Sequence, residues 1–390
     1  MNKNSLDMPL HFTEQEFNIR QKKVIQSMKE KNIDALLLFR QESMYWLTGY
    51  DTFGYVFFQC LILTLEGDKI LLTRSADLRQ AENTSNIKDI RIWVDKNNNN
   101  PAEELKSILI ELNLENKNLG IEYESYGLTG KNAMMLNHSL SNFAKLHDES
   151  YLVTKHRLVK SEHEIKYVRK AAELADKALE RAWDLSHPGA DESDILSAIQ
   201  GAVFSGGGDY PGNEFIIGSG PDALLCRYFS GRRKLDRIDQ LTLEFAGVYR
   251  HYHSALMRTI PIGKAKKEHI ELYEICLEAL CACESKLKVG STAGDIFEQH
   301  RLVIDKTKYK SARLNACGYS LGATFAPNWM DWPMLYESNP ILIDKNQVFF
   351  IHMILMHTET QTAMNLGETY IITEIGCERL GKLKLDLVVG

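Results

Sequence analysis

The chain has 390 residues, of which 44% are hydrophobic and 25% charged, and its net charge is −6. This is an ordinary globular composition, long enough for two domains, with no basic tract suited to nucleic acid. No apolar run reaches the ~18–20 residues of a membrane span, and MNKNSLDMPLHFTEQEF has no apolar signal core, so a cytoplasmic protein is expected.

Phe12, Thr13 and Glu16 form a staple residue followed by a capping box, and they predict a helix running to about Lys31. Ile33 to Phe39 (IDALLLF) is apolar on both faces, which predicts a buried strand with parallel neighbours. Tyr45 to Tyr50 (YWLTGY) reads as a turn. Leu61 to Leu65 and Ile70 to Thr73 flank Glu66-Gly67-Asp68, a hairpin signal. A loop at Asp95 to Pro101, an amphipathic helix at Ala102 to Leu114 and a strand at Leu119 to Tyr123 follow. Strands alternating with helices predict an α/β domain, residues 1–158.

The second domain, residues 159–390, opens on another capping box, Ser161 and Glu164. Ile165, Val168, Ala172, Ala175 and Leu179 then recur at helical spacing as far as His187-Pro188-Gly189. PGADESDIL (Pro188 to Leu196) is echoed by VGSTAGDIF (Val289 to Phe297), each after a long amphipathic helix and before a glycine-containing segment. The echo predicts two similar halves related by a pseudo-twofold, with a ligand cleft between them. Seven cysteines, an odd number without a secretory signal, favour free thiols. Cys281 and Cys283 lack a second ligand pair and read as helix-packing residues. Cys226 beside Arg227 reads as packing for want of a base partner.

Leu241 to Thr259, LTLEFAGVYRHYHSALMRT, is the stretch with most chemistry. Leu241, Leu243 and Phe245 alternate with Thr242, Glu244 and Ala246, which predicts a strand. Gly247 to Arg250 is expected to turn the chain, and His251 and His253 share a face on the return. A carboxylate among apolar residues, near imidazoles and Arg258, is a candidate reaction centre, while a half-exposed hairpin is the plain alternative.

With these residues in view, the chain resembles the creatinase and Xaa-Pro peptidase family, the pita-bread fold. YWLTGY is similar to the amino-terminal domain signature and KSEHEIKYVRKAAELAD to the helix opening the catalytic domain. GSGPDALLCRY, LTLEFAGVYRHYHSALMRT, CGYSLG, QVFFIHMILM and MNLGETYIIT resemble the five active-site segments in order. The implied fold is an α/β amino-terminal domain plus an α+β pita-bread catalytic domain with a pseudo-twofold internal repeat. The implied assembly is a homodimer, with Tyr45, Trp46 and Tyr50 supplying apolar surface.

The peptidases of the family hold two metal ions on two Asp, one His and two Glu. The matching positions here carry Glu244, Ala255, Tyr319, His352 and Gly367, with Glu368 one residue further on. Ala255 and Gly367 offer no side-chain donor and a phenol is a poor ligand at neutral pH, so no metal and no cofactor is expected. One ion on Glu244, His352 and Glu368 is the remaining alternative. Creatinase likewise has a small residue in place of the second Asp. The ectoine hydrolases, which open a cyclic amidine to an acetylated diaminobutyrate, are similar in GDYP (Gly208 to Pro211), Glu244 to Gly247, Arg250 to His253, Gly318 to Ala323, Pro327 to Trp329 and His352. Their catalytic His corresponds here to Arg227.

The resemblance therefore implies catalytic roles for Glu244, His253, Tyr319, His352 and Glu368. Glu244 is the nucleophile or base, and His253 or His352 shares its proton. Tyr319 donates to developing charge. Arg227 and Arg258 are candidate carboxylate clamps, Arg258 with a structural ion pair as its plain reading. Tyr210 and the loop holding Trp329, Asp331 and Trp332 are candidate substrate contacts. The leading expectation is a metal-independent hydrolase of a non-peptide C–N bond in a small zwitterion. A metallopeptidase for Xaa-Pro bonds and a non-catalytic binding protein on the same fold are the alternatives.

Overall fold

The computed structural model describes residues 10–227 and 231–390; Met1 to Pro9, read above for a leader, and Tyr228, which ends GSGPDALLCRY, lie outside them. The chain divides into two compact units, Met1–Arg157 and Leu158–Gly390.

The first unit is a three-layer α/β sandwich. Its strands are β1 (Ala35–Leu38), β2 (Cys60–Thr64), β3 (Lys69–Arg74), β4 (Asp89–Trp93), β5 (Asn118–Ile121) and β6 (Lys145–Asp148), in the order β4-β3-β2-β1-β5-β6. β1 is apolar on both faces because both are covered. Leu36 and Leu38 join the core under helices Glu14–Glu30 and Gln41–Thr48, while Ala35 and Leu37 join the core under helices Pro101–Glu111 and Gly130–Leu140. Its pairing is parallel to β5 but antiparallel to β2, since the hairpin β2–β3 lies on its other side. Thr13 caps the first helix and Phe12 packs edge-on against Phe17 at 5.9 Å, a hydrophobic staple. Glu16 reaches Arg20 at 2.7 Å. YWLTGY is not a turn: Tyr45 to Thr48 complete a helix, and Gly49 ends it in the left-handed region at φ 86°.

In the second unit the repeat is plain. Helices Glu162–Leu185 and Glu192–Ser205 precede β7 (Ile216–Ser219) and the hairpin β8 (Asp239–Tyr249) to β9 (Tyr252–Ile262). Helices Lys267–Lys286 and Ala293–Ile304 precede β10 (Ala316–Ser320), β11 (Asp331–Tyr336) and the hairpin β12 (Val348–His357) to β13 (Thr362–Ile372), followed by β14 (Cys377–Arg379). The sheet order β11-β10-β12-β13-β9-β8-β7 mirrors one half onto the other across the β13–β9 pair. This is the pita-bread arrangement with its pseudo-twofold. The echoed segments perform one job in both halves: Asp191 and Thr292 each cap the second helix.

Helices cover one sheet face. Ile351, Met353, Leu355, Met364 and Leu366 pack in a core with Leu272, Cys276 and Leu280 of the third helix. On β8 the same face presents Gly247, where a Cβ would meet the Ala171 carbonyl at 1.9 Å, so this glycine admits a helix and is not part of the turn. The turn is Arg250-His251, both at positive φ (52° and 65°), which is the handedness a two-residue hairpin needs. All seven cysteines are free; Cys283 packs in the core while Cys281 is exposed, contrary to the expectation that both pack. Among the described residues no helix is long and apolar enough to cross a membrane.

Candidate active site

Strand register builds the site on the sheet face opposite these helices. Glu244 lies opposite Met257, Met257 opposite Gly367, and Gly367 opposite His352. These four form one transverse row across β8, β9, β13 and β12, and residues two apart on each strand share its face. Glu244 and His352 are thus the same position in the two halves, ~14 Å apart along the row at normal strand spacing. The next row holds Ala246 and Ala255, then Thr369, Phe350 and Tyr319, with the Thr369 hydroxyl donating to the Ala255 carbonyl at 2.9 Å. On the other side lie Thr242 and Thr259, then Asn365 and Ile354, with Asn365 N–H donating to Thr259 Oγ1 at 2.7 Å.

Glu244 accepts a hydrogen bond from the Tyr319 hydroxyl at 3.3 Å, and Trp329 Nε1–H donates to that hydroxyl at 2.8 Å. Burial pushes the Glu244 carboxyl up to about 7, against the opposing pull of the Arg227 charge and the Tyr319 hydrogen bond. A carboxyl poised there can take and return a proton near neutrality. Arg227 is exposed, yet its charge acts on Glu244, Tyr319 and His352 alike, which places it over this face. Burial outweighs Arg227 at the neighbouring Cys226 and raises that thiol, in keeping with a packing role. Burial also drives His352 down to about 3, helped by the charges of His300 and Arg227, so its imidazole is neutral.

Several expected site residues are elsewhere. His253 lies opposite Val248, two pairs of same-face residues along from Glu244. Its Nε2 accepts the Gly212 N–H at 2.9 Å, which leaves Nδ1 to donate to Thr324 Oγ1 at 3.1 Å. An imidazole whose one lone pair is already used, and which burial holds at about 3, is no proton carrier; His253 pins two loops. Glu368 follows Gly367 and so points to the helix-covered face, where it is fully buried in an ion pair with Arg258. Arg258 Nη1 also donates to the carbonyls of Met257 and Gly367, at 2.8 and 3.0 Å. Neither residue reaches the site, and the alternative of one ion on Glu244, His352 and Glu368 is ruled out by strand alternation. Tyr210 is 81% exposed and packs edge-on to Phe204 rather than toward Glu244. Asp331 and Trp329 do not form one wall. Trp329 is buried and holds Tyr319, while Asp331 flanks Gly322 together with the buried Lys160. Trp332 packs on the core beneath the helices.

The donor set does not fit two divalent ions. Ala255 has no donor, and a Cβ at Gly367 would lie 2.6 Å from the Phe350 ring and 3.1 Å from Met257 Cβ. The place where a glutamate would project is therefore filled by an aromatic ring. Among the described residues no group of three or more His, Cys, Asp and Glu is placed to hold a metal ion. Gly367→Ala is expected to lose ~1–3 kcal/mol of stability from this overlap. Chemical denaturation checks it, and pairing the change with Phe350→Ala should ease the clash.

Two contributors were missed from sequence. Phe350 sits inside a quoted motif, but its role depends on β12 to β13 register. Asn365, in MNLGETY, has a side-chain oxygen that is buried with no hydrogen-bond partner among the described residues. A lone amide between apolar residues, two residues before the glycine, was the available signal.

The profile of the Creatinase/Prolidase N-terminal domain matches residues 20–159, and that of Metallopeptidase family M24 matches residues 166–374. The ectoine hydrolase of Halomonas elongata is 27% identical over 98% of this chain and 100% of its own length. The Xaa-Pro dipeptidase of Pyrococcus horikoshii is 26% identical over 95% of this chain and 99% of its own. Among solved structures, the prolidase from Thermococcus sibiricus superposes with a TM-score of 0.86 at 21% identity, covering 96% of this chain and 99% of its own. The prolidase from Pyrococcus horikoshii gives 0.83 at 24% identity, covering 95% and 100%. Two domain profiles in order, one of them spanning more than half of the residues, place the chain in a family: it belongs to metallopeptidase family M24.

Proposed function

We propose that this hydrolase cleaves a non-peptide C–N bond in a small zwitterion of the ectoine or creatine type, without a bound metal. The observation that carries the reading is the Phe350 ring over Gly367, where a peptidase ligand would project. Similarity to the ectoine hydrolase of Halomonas elongata supports it. The competing reading, an Xaa-Pro metallopeptidase, is favoured by the comparable similarity to the Pyrococcus horikoshii dipeptidase, but it needs donors that positions 255 and 367 lack. A homodimer in the cytoplasm belongs to the same proposal; Tyr45, Trp46 and Tyr50, expected to supply its apolar surface, are instead buried within their own unit.

In this reading Glu244 takes a proton from water as the water oxygen bonds to the amidine or guanidine carbon. It then returns that proton to the departing nitrogen as the C–N bond breaks. Tyr319, held by Trp329, steadies the carboxylate between the two transfers. Arg227 receives the substrate's carboxylate; fixed in charge, it cannot serve as a base. Arg227→Lys is expected to raise KM at least ~10-fold with a smaller loss in kcat, the mark of lost ground-state binding. Steady-state kinetics checks it, and an unchanged KM with a collapsed kcat would remove the clamp. The function itself is tested by incubating the protein with ectoine, hydroxyectoine, creatine and Xaa-Pro dipeptides and following products by mass spectrometry. Cleavage of dipeptides alone would overturn the proposal.

A further inference from the structure

The row geometry leaves two polar atoms on the open face with no explained use. Asn365 Oδ1 and His352 Nδ1 are both buried and without a hydrogen-bond partner among the described residues. Native proteins seldom leave such atoms unsatisfied, and those at a site are commonly satisfied by what binds there. The two are neighbours. His352 lies opposite Gly367, and Asn365 is the next residue of β13 on that face, diagonal to His352 across the strand pair. Side chains on such a diagonal stand ~7 Å apart, and here no side chain at Gly367 intervenes. Each residue keeps 6% of its surface exposed, while the two orphan atoms lie just beneath the open side.

The chemistry of the pair is narrow. The Asn365 backbone N–H is already spent on Thr259 Oγ1, at 2.7 Å. Its orphan oxygen accepts only. A neutral imidazole has one acceptor nitrogen, which is Nδ1 when Nε2 carries the proton. The Phe350 ring lies over Gly367, opposite His352 and beside this pair, an apolar surface that offers nothing to a carboxylate. Two acceptors at this spacing beside an aromatic ring suit a planar N–C–N group, with one hydrogen bond of ~2.9 Å from each nitrogen.

We propose that Asn365 Oδ1 and His352 Nδ1 receive the two N–H groups of the substrate's amidine or guanidine, and that Asn365 is a specificity-determining residue. This deepens the proposed function and rests on it. It also orients the substrate. The N–C–N carbon lies between Glu244 at one end of the row and this acceptor pair at the other, while Arg227 takes the carboxylate.

The test is equilibrium binding by calorimetry in a Glu244→Gln background, which prevents turnover, with ectoine and creatine as probes. Asn365→Leu should weaken the bound probe at least ~10-fold, the effect of one buried hydrogen bond. Asn365→Asp keeps an acceptor and removes the amide donor, so it should bind no more than ~3-fold weaker than the parent. If the Leu variant fails to fold, by its melting temperature, Asn365→Ser replaces it, being too short to reach. Undiminished binding in Asn365→Leu or Asn365→Ser overturns the inference alone. So does an Asp variant as weak as the Leu one, because Asn365 would then act as a donor. Failure of both probes to bind the parent overturns the substrate reading, and this inference with it.

Discussion

Glu244→Gln is expected to lower turnover at least ~100-fold, the low end of what one acid–base group supplies, while the fold stays intact. The amide is isosteric, so Met257 and Ile216 opposite it on β9 and β7 keep their packing. The variant should also be more stable than the parent above pH 7. Burial raises this carboxyl from 4.5 to about 7, so the folded chain holds the proton more tightly than the unfolded chain does. The resulting stabilisation is complete below pH 4.5 and is lost as the pH rises through 7, where a buried charge must form. An amide avoids that cost. Melting temperatures at pH 5 and pH 8 check the sign: the variant's advantage should appear only at the higher pH. Near-normal turnover would remove Glu244 from the mechanism, and an advantage confined to low pH would contradict the placement of its titration.

The second large effect is on stability. Arg258→Met removes one partner of a buried ion pair and leaves Glu368, fully buried, with the half-buried Arg379 at 3.9 Å as its one remaining ion-pair partner among the described residues. Breaking such a pair costs ~3–5 kcal/mol, because the remaining charge has no water to return to. The double change Arg258→Met with Glu368→Leu should recover most of the loss, since two apolar side chains need no partner. Turnover of the folded fraction should fall far less than in Glu244→Gln, as the pair faces the helices. Urea unfolding checks both. A substrate-binding Arg258 would instead show a raised KM and near-normal stability.

The boundary between what was legible and what was not follows the range of the interactions. The helix caps at Thr13 and Ser161, the helix after Ser161 and the hairpin around Gly67 are local, and sequence spacing announces them, although of the two caps only Ser161 with Glu164 closes a full capping box. The echo of PGADESDIL in VGSTAGDIF reported the pseudo-twofold because both halves need a helix cap at the same place. YWLTGY was misread because its glycine, a turn signal, is the left-handed end of a helix. The donor positions Ala255 and Gly367 could be read as empty from residue type alone.

Register, by contrast, depends on which strands meet. Only pairing shows that Glu368 is turned away from Glu244, that the hairpin turn is Arg250-His251 and not Gly247 to Arg250, and that His253 has spent its lone pair on Gly212. The sequence likewise had no means of showing that Phe350 covers Gly367, since the two are 17 residues apart and meet through the β12–β13 ladder.

The central claim, chemistry on a non-peptide C–N bond without metal, is tested most directly by measuring product formation after exhaustive dialysis against a chelator. The dialysed protein is given ectoine, creatine and Xaa-Pro dipeptides, with and without added divalent metal. The account predicts opening of the amidine or guanidine at a rate that chelation and added metal leave unchanged, with the dipeptides intact. Dipeptide cleavage that disappears on chelation and returns with metal would contradict it.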